Sequence, residues 1–162
     1  MKKLYIASDH AGFELKYALI KFLKEHELGS AAKLTWLQTL SEFHDFGPDQ
    51  SNPVDYPDYA DKVAKIVNNS PHSAVGVLIC GSGQGMCMRA NRYPQVRAAL
   101  GYNDTIVELA RSHNDANILC LGGRFCQINQ VIRWLELFLT TPFADGRHSI
   151  RVHKLSRFDK DP

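Results

Sequence analysis

Five short apolar runs punctuate the chain, "KLYIAS", "EFHDFG", "AVGVLIC", "RAALGY" and "ANILCLGG", and each is separated from the next by a stretch long enough for a crossover helix. Alternation of this kind predicts a parallel sheet with helical connections. The connecting segments carry the matching period. Leu15, Leu19, Phe22 and Leu23 fall on one face of a first helix, with Lys16, Lys21, Lys24 and Glu25 elsewhere. Tyr59, Ala60, Val63, Ala64 and Val67 repeat the pattern in a second helix. "NDTIVELARSH" reads as a third, with Asn103 or Asp104 as its N-cap.

The last strongly periodic segment, "QINQVIRWLELFLTTPF", puts Ile128, Val131, Ile132, Leu135 and Phe138 on a core stripe, while Trp134 and Leu137 extend the apolar surface around the side. One sheet face cannot cover both. Either the tail folds back over this surface or a second subunit does, and a dimer is the expectation, because such patches are uncommon on monomers. The least regular region, "GSAAKLTWLQTLSEFHDFGPDQSNPVDYP", is expected to hold an extra helical turn around Trp36 and then a Pro- and Asp-rich loop. No internal repeat interrupts the pattern.

At 162 residues the chain reads as one domain, 1–162, large enough for a real core. Hydrophobic residues make up 44% and charged residues 22%, the composition of an ordinary globular protein. A net charge of +2 without a long basic run gives no ground for a nucleic-acid or anionic-membrane partner. No apolar stretch approaches the roughly 20 residues that span a bilayer, and the N-terminus reaches Asp9 before a signal-peptide core forms. The expected location is cytoplasmic. The four cysteines show neither a CxxC pair nor a His spacing suited to zinc, so no metal site is expected. Cys87, Cys120 and Cys126 read as small hydrophobes.

Cys80 is the cysteine with a candidate role. It ends the third apolar run, and the alternating Gly81, Gly83 and Gly85 follow before a helix begins. A turn of that kind bares backbone N–H groups at the carboxyl edge of the sheet, which makes it an anion cradle. It is neither a Walker loop nor a dinucleotide fingerprint, although Asp104, about 20 residues downstream, keeps a weak nucleotide reading alive. The helix N-terminus and the loop amides would favour thiolate at Cys80, and a thiolate there can act as a base. The alternative is a buried structural cysteine.

Three other stretches carry candidates. "SDHAGFELK" ends the first strand with Asp9 and His10 at the same carboxyl edge, with plain capping by Ser8 or Asp9 as the alternative. "RSHNDAN" puts His113 and Asn114 at a helix end, where His113 also reads as a cation facing the dipole. "GRHSIRVHK", in the basic tail 145–162, spaces Arg147 and Arg151 four apart on one helical face, which suits a phosphate held by two guanidinium groups. A solvated basic tail has the same pattern.

Taken together, "ASDHAGFELK", "DYPDYA", "ICGSGQGM", "RSHNDANILCLGGR" and "GRHSIRV" resemble the B-type ribose-5-phosphate isomerases, in the family that also contains galactose-6-phosphate and allose-6-phosphate isomerases. The resemblance covers nearly the whole chain. It implies a Rossmann-like three-layer α/β/α sandwich with five parallel strands, and an active site at the interface of a homodimer, with a tetramer also open. It implies that Cys80 is the base that moves a proton between C2 and C1 of an open-chain sugar phosphate. The loop of Gly81, Ser82, Gly83, Gln84 and Gly85 would stabilise the developing oxyanion, and Ser82 would relay protons between the sugar oxygens.

By the same resemblance His113 opens the furanose ring with help from Asp9, and Asn114 is a neighbouring sugar contact. His10, Arg124, Arg147 and Arg151 match the phosphate-binding set, and Tyr56 lines the sugar pocket with Asp55 nearby. No cofactor or metal is implied, since the reaction is a proton shuttle without net redox change. Some relatives replace the strand-end cysteine and use a Glu six residues on, where this chain has Met86. Two departures stand out: the segment from Gly29 to Leu40 is longer than the usual link, and Arg89 stands where a small residue is commoner. The competing readings are the same chemistry on a hexose 6-phosphate, a non-catalytic sugar-phosphate-binding subunit, and a dinucleotide-binding domain.

Overall fold

In a computed structural model that describes residues 1–156, the five apolar runs form one all-parallel sheet in the order β2-β1-β3-β5-β4. The strands are β1 (Lys2–Ser8), β2 (Leu40–Asp45), β3 (Ala74–Cys80), β4 (Ala98–Leu100) and β5 (Ile118–Gly122). The helices are α1 (Phe13–Lys24), α2 (Tyr56–Asn69), α3 (Gln84–Ala90), α4 (Asp104–Asn114), α5 (Ile128–Thr140) and α6 (Arg147–Leu155). Central β3 is buried along its whole length, as a strand covered on both faces must be.

The two cores follow from the period of two along each strand. Val75, Val77 and Ile79 join Leu4, Ile6, Leu119 and Leu121 under α1, α4 and α5, whereas Leu78, Cys80, Ala7 and Cys120 lie under α2 and α3. The result is the three-layer α/β/α architecture. The part of the basic tail from 157 to 162 lies outside the described residues.

Lys16 departs from its expected place on the polar side of α1. It is 2% exposed, and its ammonium donates to both carboxylate oxygens of Asp45, at 2.7 and 2.6 Å. Asp45 ends β2 and also accepts from the Gly47 N–H at 2.9 Å, so one ion pair joins α1 to the start of the loop that leads to α2. The Asp45 carboxylate makes burial of the Lys16 charge tolerable.

The α5 expectation also needs correction. Trp134 and Leu137 are 3% and 7% exposed within a single chain, so neither calls for a second subunit. The Trp134 indole donates to Asp104 at 2.9 Å. The 3-10 turn Thr35–Thr39, the helical turn expected around Trp36, packs on α5 and carries Trp36 and Leu37 into the same core. The long link between α1 and β2 therefore covers a flank that the sheet leaves open. Asp104, engaged by Trp134 and by Arg133 at 3.3 Å, is held by protein partners rather than placed free for a ribose. The N-cap of α4 is Asn103, whose side chain accepts from the Ile106 N–H at 2.9 Å.

Arg89 turns away from the Cys80 loop, forming a two-pronged pair with Asp61 of α2 at 2.7 and 2.8 Å and lying against the Tyr93 ring. The pair ties α3 to α2. Met86, fully buried, packs in the same apolar cluster as Cys80.

Candidate active site

Every strand of a parallel sheet ends at the same edge, and here that edge gathers the ends of β1, β3 and β5. A cavity of about 290 Å³ opens there, lined by Asp9, His10 and Ala11 after β1, Cys80, Gly81, Ser82 and Gly85 after β3, Arg124 after β5, and Tyr56 at the start of α2. Cys80 is 4% exposed, and its sulfur accepts the Gly83 N–H at 3.2 Å. Gly83 makes that contact from a left-handed backbone, φ 80°, and a Cβ on it would meet Leu100 at 2.5 Å and the backbone of Leu121 at 2.9 Å. Only a glycine lets the loop turn this tightly over β5.

Asp9 is buried, and its carboxylate accepts the Gly12 N–H at 2.9 Å, capping the short turn His10–Gly12 that precedes α1. It is thus both a cap and a wall of the cavity. His10 is exposed, and its Nδ1 accepts the Val54 N–H at 3.3 Å, a contact that fixes the loop before α2. Tyr56 stands over the glycine loop: a Cβ on Gly85 would lie 2.6 Å from its ring. Asp55 precedes it at the N-cap position of α2 without capping through its side chain. Ser82 is exposed, with its hydroxyl 3.4 Å from the Gln84 N–H that donates to it. The Arg124 N–H donates to the Gly81 carbonyl at 3.2 Å, so the turns after β3 and β5 brace each other.

The remaining predicted residues lie at the other edge. Because α4 returns from the end of β4 to the start of β5, His113 and Asn114 sit at the amino-terminal edge of the sheet, the length of β5 away from Cys80. Five residues of strand make roughly 17 Å. There the His113 ring stacks on His148 of α6, with 4.2 Å between centroids and 11° between planes, and α6 also carries the exposed Arg147 and Arg151. The helix bearing these two arginines packs on α4. A single chain therefore gathers Asp9, His10, Tyr56, Cys80, the glycine loop and Arg124 at one edge, and His113, Asn114, Arg147 and Arg151 at the other.

Periodicity and motifs left three contributors unseen. Ala11 lines the cavity, the Val54 N–H engages His10, and His148 lies on His113. The first two depend on loops meeting across the sheet edge and leave no local signal. His148 sits between the two arginines of "GRHSIR", on the helix that carries them.

A family model described as Ribose/Galactose Isomerase matches residues 4–155. The chain is 40% identical to a probable ribose-5-phosphate isomerase B of Mycoplasma pneumoniae, over 98% of this chain and 95% of that one. It is likewise 40% identical to a putative sugar phosphate isomerase of Rickettsia conorii, over 94% of this chain and 96% of that one. Among solved structures, a ribose 5-phosphate isomerase from Thermotoga maritima superposes with a TM-score of 0.82 at 41% identity, over 96% of this chain and 97% of that one. Ribose-5-phosphate isomerase B from Mycoplasma genitalium with bound ribulose-5-phosphate gives 0.83 at 36% identity, over 99% and 97%. No helix among the described residues is long and apolar enough to cross a membrane. With its fold, its motifs and nearly its full length in agreement, the chain belongs to the ribose/galactose isomerase family.

Proposed function

We propose that this protein interconverts ribose 5-phosphate and ribulose 5-phosphate, with Cys80 as the base. The observation that carries the reading is Cys80 at the wall of a cavity on the carboxyl edge, its sulfur accepting the Gly83 N–H of the glycine loop that lines the same cavity. In the open-chain aldose the sulfur takes the C2 proton. The C–H electron pair forms the C1–C2 double bond, and charge moves onto O1, where N–H groups of the Gly81–Gly85 loop stabilise it. Return of that proton to C1, with Ser82 passing the hydroxyl proton from O2 to O1, completes the ketose. No redox equivalent enters or leaves.

His113 opens the ring on this reading, assisted by Asp9, and Asn114 holds a sugar hydroxyl. His10, Arg124, Arg147 and Arg151 hold the phosphate, and Tyr56 borders the sugar. Since the chain divides these residues between its two edges, the complete site forms between two copies, the His113 edge of one closing over the Cys80 edge of the other. The same reading makes the protein a cytoplasmic enzyme, where its four free cysteines stay reduced.

The test is a rate assay of wild type and Cys80→Ala with ribose 5-phosphate and with allose 6-phosphate, with and without chelator. Turnover should favour the pentose, persist with chelator, and fall by about 10²- to 10⁴-fold in the variant. Undiminished turnover by Cys80→Ala rejects the base, faster turnover of the hexose moves the substrate to that class, and an inactive wild type leaves a sugar-phosphate-binding subunit.

A further inference from the structure

The proposed chemistry makes no use of the charge cluster at the end of α4. Asp115 follows Asn114 directly and holds a left-handed backbone, φ 46° and ψ 43°. Its Oδ1 accepts from Arg111 Nη1 at 2.9 Å and its Oδ2 from Arg97 Nη2 at 2.7 Å. Arg97 Nε also donates to the main-chain oxygen of Asp115 at 2.7 Å, and Arg111 Nη1 to that of Ala116. The two arginine side chains are only 10% and 9% exposed, and the Arg111 guanidinium lies 5.5 Å from the centre of the Phe138 ring.

Two buried guanidinium groups thus hold both the side chain and the main chain of the turn that follows His113 and Asn114. Burying such charges costs nearly as much as their attraction returns, so an apolar plug would stabilise the fold at least as well. What the charged arrangement adds is direction: the Arg97 fork spans the Asp115 carboxylate and its main-chain oxygen, and Arg111 holds the other carboxylate oxygen, so the turn is fixed in angle as well as distance.

We propose that Asp115, clamped between Arg97 and Arg111, is a positioning residue that sets the His113–Asn114 turn for opening of the sugar ring. The inference rests on the reading of His113 as the ring-opening group. It separates two steps that one assay can distinguish. Ribose 5-phosphate must be opened before its C2 proton is removed, whereas ribulose 5-phosphate, with O5 esterified, is already open-chain. Exchange of its C1 hydrogen in heavy water therefore reports the Cys80 step alone.

The decisive variant is Asp115→Asn, which keeps the size and the tolerance for a left-handed backbone but removes the charge. Its kcat on ribose 5-phosphate should fall by about 10- to 100-fold with KM within about threefold, the size of effect that a small misplacement produces. C1 exchange on ribulose 5-phosphate, which needs no ring opening and feels the turn only through Asn114, should fall by a factor at least about threefold smaller. Arg97→Lys, which keeps the charge and loses the fork, should move the same way by less, and it decides the matter if Asp115→Asn does not fold. Equal losses in both measurements, or none in either, overturn the positioning role. A wild-type enzyme that shows neither turnover nor exchange overturns the isomerase reading itself.

Discussion

The imidazole of His148 lies flat against that of His113, 4.2 Å from centroid to centroid, and is the one buried residue of α6. Burial, and then the positive charge of His113, Arg147 and Arg151, hold His148 below its ordinary value of 6.5. Its proton is therefore bound more readily by the unfolded chain. The contribution to stability is complete above about pH 6.5 and is lost as the pH falls from there through the lowered value. Thermal midpoints measured from pH 8 to pH 5 should decline more steeply for wild type than for His148→Phe, which keeps the stack and does not titrate. Parallel profiles would show that this ring is not the titrating group.

The ion pair of Lys16 and Asp45 yields a second expectation. Its ammonium is almost wholly buried, and its carboxylate is about one third exposed. Removing the carboxylate strands the charge, so Asp45→Ala should destabilise by about 2–4 kcal/mol, at or somewhat below the range for breaking a buried pair because water still reaches Asp45. Lys16→Met with Asp45→Ala in one chain should recover part of that loss. Denaturant midpoints of the two singles and the double measure it, and simple additivity would refute the coupling.

If the site forms between two copies, variants that damage opposite edges should repair each other. Cys80→Ala and His113→Ala, each nearly inactive alone, should regain activity when denatured together and refolded as a mixture. In a dimer, half of the assemblies would then be mixed and each mixed dimer would hold one intact site, so about a quarter of wild-type turnover should return. Recovery no greater than the sum of the two variants would place both residues in the same chain's site.

Capping and turn chemistry make much of the candidate site legible in the sequence. Asp9, His10 and Cys80 were found because each closes an apolar run, and a parallel sheet sends all such ends to one edge. Arg147 and Arg151 were legible through their spacing of four, which α6 realises. The clamp at Asp115 was not, because Arg97 reaches it from the residue just before β4, eighteen residues earlier in the chain. Asn114 and Asp115 at the end of α4 do hint at a left-handed cap, but the hint says nothing of the guanidinium groups that hold it.

By itself the sequence determined what short-range physics controls: five strands and the helices between them, the glycine turn after Cys80, and the residue types at each strand end. These depend on side-chain period and on backbone freedom within a few residues. Only the tertiary structure decided the strand order, the burial of Lys16 against Asp45, the covering of Trp134 by its own chain, and the separation of Cys80 from His113. Each of those is set by which distant segments become neighbours when apolar faces are buried, and no local pattern carries that information.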